Sequence, residues 1–216
     1  VAGLLAPSIA YQPLSARLRG DGYRTFVYQL PGLGFGDMRR SAAALCRYVD
    51  EVRAQTRAAK LDVVAHSEGG LVTRECVKSF GGSEIIDKVI TLGTPNYGTI
   101  MANIAAFLTF GTCIGSTACV QMKTGSSFLE TLNAGDDSID AVRYWNYANK
   151  LDELVQPYRN SFLASSDGNI VNVALQDRCW LRVVGHLFLA LDGTVYSGVE
   201  QALQGHTRPK LRCFAL

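Results

Sequence analysis

The sequence has no C-x-x-C pair, no cluster of lysines and arginines, no internal repeat and no linker rich in proline, serine or glycine. Each absence excludes something. Without paired cysteines, and with no histidine nearer than seven residues to any of the six cysteines, there is no zinc-ligand pattern, and neither a metal nor a cofactor is expected. Without a basic cluster, and with a formal net charge of only +2, there is no electrostatic case for a nucleic-acid partner. The apolar stretch at residues 100–115 is too short, and too interrupted by Asn103, Thr109 and Gly111, to cross a bilayer, so no transmembrane anchor is expected. The chain opens at Val1 with neither a methionine nor a charged leader segment and reads as a processed or trimmed product.

What is present fits one globular domain. The 216 residues are 48% hydrophobic and 19% charged, enough for a single large core and too apolar for disorder. A monomer is expected. Apolar runs alternate with helical patterns, which predicts an α/β fold: a mostly parallel sheet with helices on both faces. Strands are expected at residues 23–30, 61–65, 88–94, 141–149 and 170–175. Helices are expected at residues 41–58, with Ser41 or Asp37 as N-cap, from about 68 to 79, and at 194–203. Residues 97–132 do not alternate. They carry Ile100, Met101, Ile104, Phe107, Leu108, Phe110 and Ile114, then Met122, Phe128, Leu129 and Leu132. About half of these read as core; the rest suit an acyl pocket or a lid, the usual use of long inserted segments.

The most informative stretch is Leu61-Asp62-Val63-Val64-Ala65-His66-Ser67-Glu68-Gly69-Gly70-Leu71-Val72. A short apolar strand ends at a serine flanked by small residues, and a helical pattern begins. This is a nucleophile elbow, written A-x-S-x-G. Large side chains at Ala65 or Gly69 would collide with neighbouring backbone. The turn lifts the Ser67 hydroxyl off the sheet to a helix N-terminus, where free N–H groups favour negative charge. The alternative is an ordinary strand–turn–helix with a surface serine.

A serine hydroxyl needs a general base, which must itself be oriented. In this arrangement the chain order is serine, acid, histidine, each beyond the carboxyl end of a strand. Two histidines lie downstream of Ser67. His186, in Val183-Val184-Gly185-His186-Leu187, is favoured over His206, which lies in a polar tail. His66 is expected to point away and pack. Asp152 follows the strand ending near Asn149 and is the expected acid, with Asp177 as runner-up. Asp136, Asp137, Asp167 and Asp192 read as turn residues, and Glu153 is expected to face away. One oxyanion donor is the N–H of Glu68, whose carboxylate is expected to turn outward. The second should come from an early loop, for which Val1-Ala2-Gly3-Leu4 is the candidate.

Six cysteines, at 46, 76, 113, 119, 179 and 213, in a chain with a motif typical of exported hydrolases suggest disulfides and an oxidising compartment. Cys113 and Cys119 suit a short closed loop, and Cys179 and Cys213 suit a pinned C-terminal tail. Cys46 and Cys76 remain, as a pair or as buried thiols, among fifteen possible pairings.

These residues resemble a known group. The chain is similar to the small secreted class 2 bacterial lipases of the α/β-hydrolase superfamily, and more distantly to lipase B of Candida antarctica. The resemblance covers nearly the whole chain. It rests on Ala65-His66-Ser67-Glu68-Gly69-Gly70, Leu92-Gly93-Thr94-Pro95-Asn96-Tyr97-Gly98-Thr99, Gln121-Met122 through Gly125-Ser126 to Phe128-Leu129, Asp152-Glu153-Leu154-Val155-Gln156-Pro157, and Gly185-His186. It implies Ser67 as nucleophile, Asp152 as acid and His186 as base, and it strengthens the Cys179–Cys213 pair. Members begin with an apolar strand running into His-Gly or Pro-Gly; here Val1-Ala2-Gly3-Leu4 stands in that place with no strand before it. Aligned so, the Leu4 N–H is the second oxyanion donor, and losing one such donor costs ~3 kcal/mol. The expectation is a secreted serine esterase or lipase acting on carboxylic esters, acylglycerols first, at a lipid–water interface. Alternatives are a polyester depolymerase or thioesterase with the same triad, or a catalytically silent binding module.

Overall fold

The computed structural model of the chain describes residues 1–102, 105, 113–139, 141–164 and 168–215. Of the apolar segment, Ile104, Phe107, Leu108, Phe110 and the side chain of Ile114 lie outside the described residues, as does Asp167.

Four parallel strands lie side by side in sequence order: β1 (Leu61–His66), β2 (Ile86–Leu92), β3 (Arg143–Ala148) and β4 (Ile170–Ala174). The register pairs His66 with Leu92, Leu92 with Tyr147, and Ala148 with Ala174. The carboxyl ends of the strands are therefore level, and the loops that leave them share one rim.

Alternation along the strands divides the core in two. Val63, Ala65, Val89 and Tyr144 face one layer, where they meet Leu45 and Val49 of α2 (Met38–Thr56) and Leu71 and Val72 of α3 (Glu68–Ser79). Ile90, Leu92, Trp145 and Tyr147 face the other, against Leu14 and Leu18 of α1 (Gln12–Gly20) and Val195 and Val199 of the C-terminal helix Gly193–Leu203. Helix α2 starts at Asp37, whose carboxylate accepts the Arg40 N–H, so Asp37 and not Ser41 is the cap. The disulfide Cys46–Cys76 ties α2 to α3, Cys113–Cys119 closes a short loop, and Cys179–Cys213 pins the tail.

Two elements differ from the sequence expectation. Helix α1 carries no strong sequence signal and was not anticipated. Residues 23–30 form no strand, because a strand needs a partner along its length. Here only Val1 and Ala2 lie between this segment and β1. Ala2 N–H donates to the Tyr28 carbonyl, Val1 N donates to the Val64 carbonyl and His66 N–H donates to the Val1 carbonyl. A groove of about 240 Å³ adjoins them, lined by Phe26 and Tyr28, by Val63 and Val64, and by residues of both α1 and α2. None of Ser67, Asp152 and His186 lines it.

A polar ladder crosses the sheet. Thr91 Oγ1 donates to Asn146 Oδ1 (2.7 Å), Asn146 Nδ2 donates to Asn172 Oδ1 (3.0 Å), and Asn172 exchanges bonds with the backbone of Leu163. Asn146 is fully buried. Asn146→Ala leaves the buried Thr91 hydroxyl without its acceptor and opens a cavity, so urea unfolding is expected to show a loss of about 2–4 kcal/mol.

Candidate active site

Ser67 stands between the end of β1 and the start of α3 with φ 53° and ψ −128°, a backbone state that a residue with a Cβ adopts only when its surroundings impose it. The surroundings are visible. Ser67 N–H donates to the Leu92 carbonyl (2.9 Å), and the Ser67 carbonyl accepts from Thr94 Oγ1 (2.9 Å). Backbone presses in from the other side: a Cβ on Gly3 would lie 2.9 Å from Ser67 Cβ, and one on Gly69 would lie 2.5 Å from the Ala2 carbonyl oxygen. The collision expected at Gly69 is therefore real. The Leu4 N–H and the Glu68 N–H, the latter at the first position of α3, have no acceptor among the described residues. Both belong to segments that abut Ser67.

On the same rim His186 Nδ1 lies 2.7 Å from Asp152 Oδ2. The two side chains are almost wholly buried. Asp152 Oδ1 also accepts the N–H groups of Leu154 (2.9 Å) and Val155 (2.7 Å), so the carboxylate is anchored on one oxygen and free to serve the imidazole with the other. With Nδ1–H donating to Asp152, Nε2 is the open acceptor, and it has no partner among the described residues. Gly93, one residue past the Leu92 carbonyl that holds Ser67, packs on this pair; a Cβ there would sit 3.1 Å from His186 Nδ1 and 3.2 Å from Asp152 Oδ2. The loops that carry the pair are tied together. Asn149 Nδ2 donates to the Val184 carbonyl, while Gln176 Nε2 donates to Asn149 Oδ1 (2.7 Å) and to the Arg182 carbonyl (2.8 Å).

The other candidates fall elsewhere. His206 is exposed in the tail, and Asp177 pairs with Lys150 at the surface. Asp137 is no simple turn residue, since it pairs with the buried Arg74 (3.2 Å). Glu153 does not face away: both of its carboxylate oxygens lie 3.0 Å from the His186 N–H. Glu68 is corrected too. Its side chain is fully buried, because a Cβ–Cα bond in the first turn tilts toward the helix N-terminus and directs the carboxyl into the loop above it.

His66 packs as expected but is also wired. Nε2–H donates to the His186 carbonyl (3.0 Å), which leaves Nδ1 to accept from the Tyr11 hydroxyl (2.8 Å), and the Tyr11 oxygen accepts the Gly3 N–H (3.0 Å). One hydrogen-bonded chain thus joins the loop of Leu4 to the backbone of His186. No local motif marks Tyr11; the one signal available was a histidine preceding the serine.

Comparison with known proteins agrees with this architecture. Residues 36–121 match a family described as a domain of unknown function (DUF7379). Over 135 residues the chain is 28% identical to triacylglycerol lipases of Pseudarthrobacter phenanthrenivorans and Burkholderia plantarii, covering 60% of this chain and 42% and 37% of theirs. It therefore spans about two fifths of the length of those relatives. Lipase B of Aspergillus fumigatus superposes with a TM-score of 0.81 at 19% identity, over 97% of this chain and 52% of that one. The mature Bacillus licheniformis lipase BlEst2 gives 0.63 at 18% identity, over 81% of each chain. The chain has the α/β-hydrolase fold. Among the described residues no helix is long and apolar enough to cross a membrane, and no group of three potential metal ligands converges.

The burial of His66 has a consequence for stability. Desolvation, reinforced by the adjacent His186, pushes its pKa from 6.5 down to about 3. Between those values the unfolded chain takes up a proton that the fold refuses, so stability falls as pH drops below about 6.5 and levels off near 3. At roughly 1.4 kcal/mol per unit this amounts to several kcal/mol. Urea unfolding of His66→Gln over that range is expected to show a shallower acid dependence than the parent.

Proposed function

We propose that the protein is a serine hydrolase of carboxylic esters, with Ser67, His186 and Asp152 as its triad. The observation that carries the reading is the buried Asp152–His186 bond of 2.7 Å on the same rim as a serine held at positive φ. Ser67 Oγ attacks the ester carbonyl as its proton passes to His186 Nε2. Asp152 holds the Nδ1–H tautomer and balances the imidazolium that forms. The N–H groups of Leu4 and Glu68 receive the oxyanion. His186 then protonates the departing alcohol, leaving Ser67 acylated, and water attacks the acyl-enzyme by the same route in reverse.

The substrate class follows from what flanks these residues. Exposed apolar side chains adjoin three of them in sequence: Leu5 after Leu4, Leu151 and Leu154 around Asp152, and Leu187 and Phe188 after His186. Such a rim suits an ester with an apolar acyl chain, presented by a lipid surface. Ile100 and Met101, also exposed, begin the apolar segment assigned here to the acyl pocket or lid. Two relatives named triacylglycerol lipases support acylglycerols as the ester class in this reading. The three disulfides suit an oxidising, extracellular setting.

Hydrolysis of p-nitrophenyl butyrate and palmitate tests the reading. Ser67→Ala is expected to lower kcat by roughly 10⁴-fold or more and to abolish labelling by a fluorophosphonate, with Asp152→Asn lowering kcat by about 10⁴-fold at unchanged labelling site. A folded parent chain that neither hydrolyses ester nor takes the label is a binding module and not an enzyme.

A further inference from the structure

The residue after the elbow serine is a glutamate, and its carboxyl has no place in the reaction just described. Glu68 is 0% exposed, and neither carboxyl oxygen has a hydrogen-bond partner among the described residues. The carboxyl lies against Gly34, where a Cβ would come within 2.4 Å of Oε2. Gly34 has φ +84° and belongs to a short turn over residues 31–34. The carbonyl of Leu33 in that turn accepts the Leu5 N–H (2.8 Å). The carboxyl is therefore sealed beneath the turn that supports the loop of Leu4, and it belongs to the same residue whose N–H faces the oxyanion.

Charged groups on the elements around it are committed elsewhere. Asp37 at the start of α2 accepts from the Arg40 N–H (3.0 Å) and from Gln121 (2.9 Å). Arg39 is paired with Glu75 (3.8 Å), and Arg74 with Asp137. Val1 N is bonded to Val64, His66 to Tyr11 and His186, and Asp152 to His186. Burial alone acts on Glu68, and it pushes the carboxyl up to about 8. An ionised carboxylate here would be an unpaired buried charge on the residue whose N–H is assigned to the oxyanion, and like charges oppose each other in a dry site.

We propose that Glu68 is a proton-dependent switch on the oxyanion hole: the chain hydrolyses ester with the Glu68 carboxyl protonated, and release of that proton shuts the reaction down. The inference rests on the ester-hydrolase reading above. Proton release places a negative charge under the turn that supports Leu4 and behind the Glu68 N–H, so the oxyanion loses stabilisation without any loss of the triad. The Glu68 carboxyl, unlike the N–H of the same residue, does not touch the ester and acts through its neighbours, which makes it a positioning group.

Two measurements on the parent chain and Glu68→Gln test this. In the first, kcat/KM for p-nitrophenyl butyrate is followed between about pH 6 and 10, each profile normalised to its own value near pH 6.5. The parent is expected to lose activity about tenfold per pH unit above about 8, and Glu68→Gln to lack that limb. In the second, infrared difference spectra of the two proteins follow the carbonyl stretch of a protonated carboxylic acid. That band is expected in the parent at neutral pH and should vanish over the same range in which activity falls. An alkaline limb shared by both proteins, or a band that vanishes with activity unchanged, overturns the switch and leaves the hydrolase reading standing. Absence of the acid band at neutral pH also overturns it. No ester turnover by the parent at any pH, with the band present, overturns the hydrolase reading and the switch together.

Discussion

A chain that leaves a parallel strand and enters a helix within one residue has few backbone states available, and Ser67 occupies one that costs of order 1–3 kcal/mol. That turn is the constraint on which the rest of the site depends. It is held from below by the Leu92 carbonyl, from one side by Thr94 and from above by the close approach of Gly3 and Gly69. Every one of these supports is backbone or a short side chain. Bulk at any of them would relax the turn and withdraw the hydroxyl. Because the strand ends are level, the turn at the end of β1 lies on the same rim as the loops after β3 and β4 that carry Asp152 and His186.

Around that turn, charge is handled by burial and pairing more than by solvent. Asp152 is saturated by two N–H groups and the imidazole. Arg74 is taken out of water but shared among Asp137, Asn96 and Asn133. Glu68 is the exception, with two oxygens and no partner among the described residues. A fold rarely keeps an isolated carboxylate in its interior; it keeps a carboxylic acid instead. The same logic keeps His66 neutral, and its neutrality is what lets one ring nitrogen donate to His186 while the other accepts from Tyr11.

Much of this was legible beforehand, for reasons that can be named. The strands β1 and β4 and the helices α3 and Gly193–Leu203 declare themselves through side-chain period. Ser67 declares itself because an elbow needs small residues at fixed offsets. Asp152 and His186 were singled out by chain order after the serine, and the fold pairs their side chains. Residues 23–30 misled because an alternating apolar pattern reports a preference for extended backbone and says nothing of whether a neighbour exists to pair with. Helix α1 was missed because a proline and two arginines in nine residues blur the apolar stripe made by Leu14 and Leu18.

The sequence by itself determined the order of the elements, the strand–serine–helix turn at Ser67 and the short segments that carry Asp152 and His186, since each is written in a window of a dozen residues or fewer. The tertiary structure decided the partners. That Tyr11 reaches His66 across 55 positions, that Glu153 braces the His186 N–H across 33, and that Glu68 turns inward against Gly34 follow from how the loops at the carboxyl ends of four strands are packed on one rim. The physical reason is range. Period and turn chemistry act between neighbours in the chain, whereas burial and hydrogen bonding act between neighbours in space, and only the folded sheet makes those two sets meet.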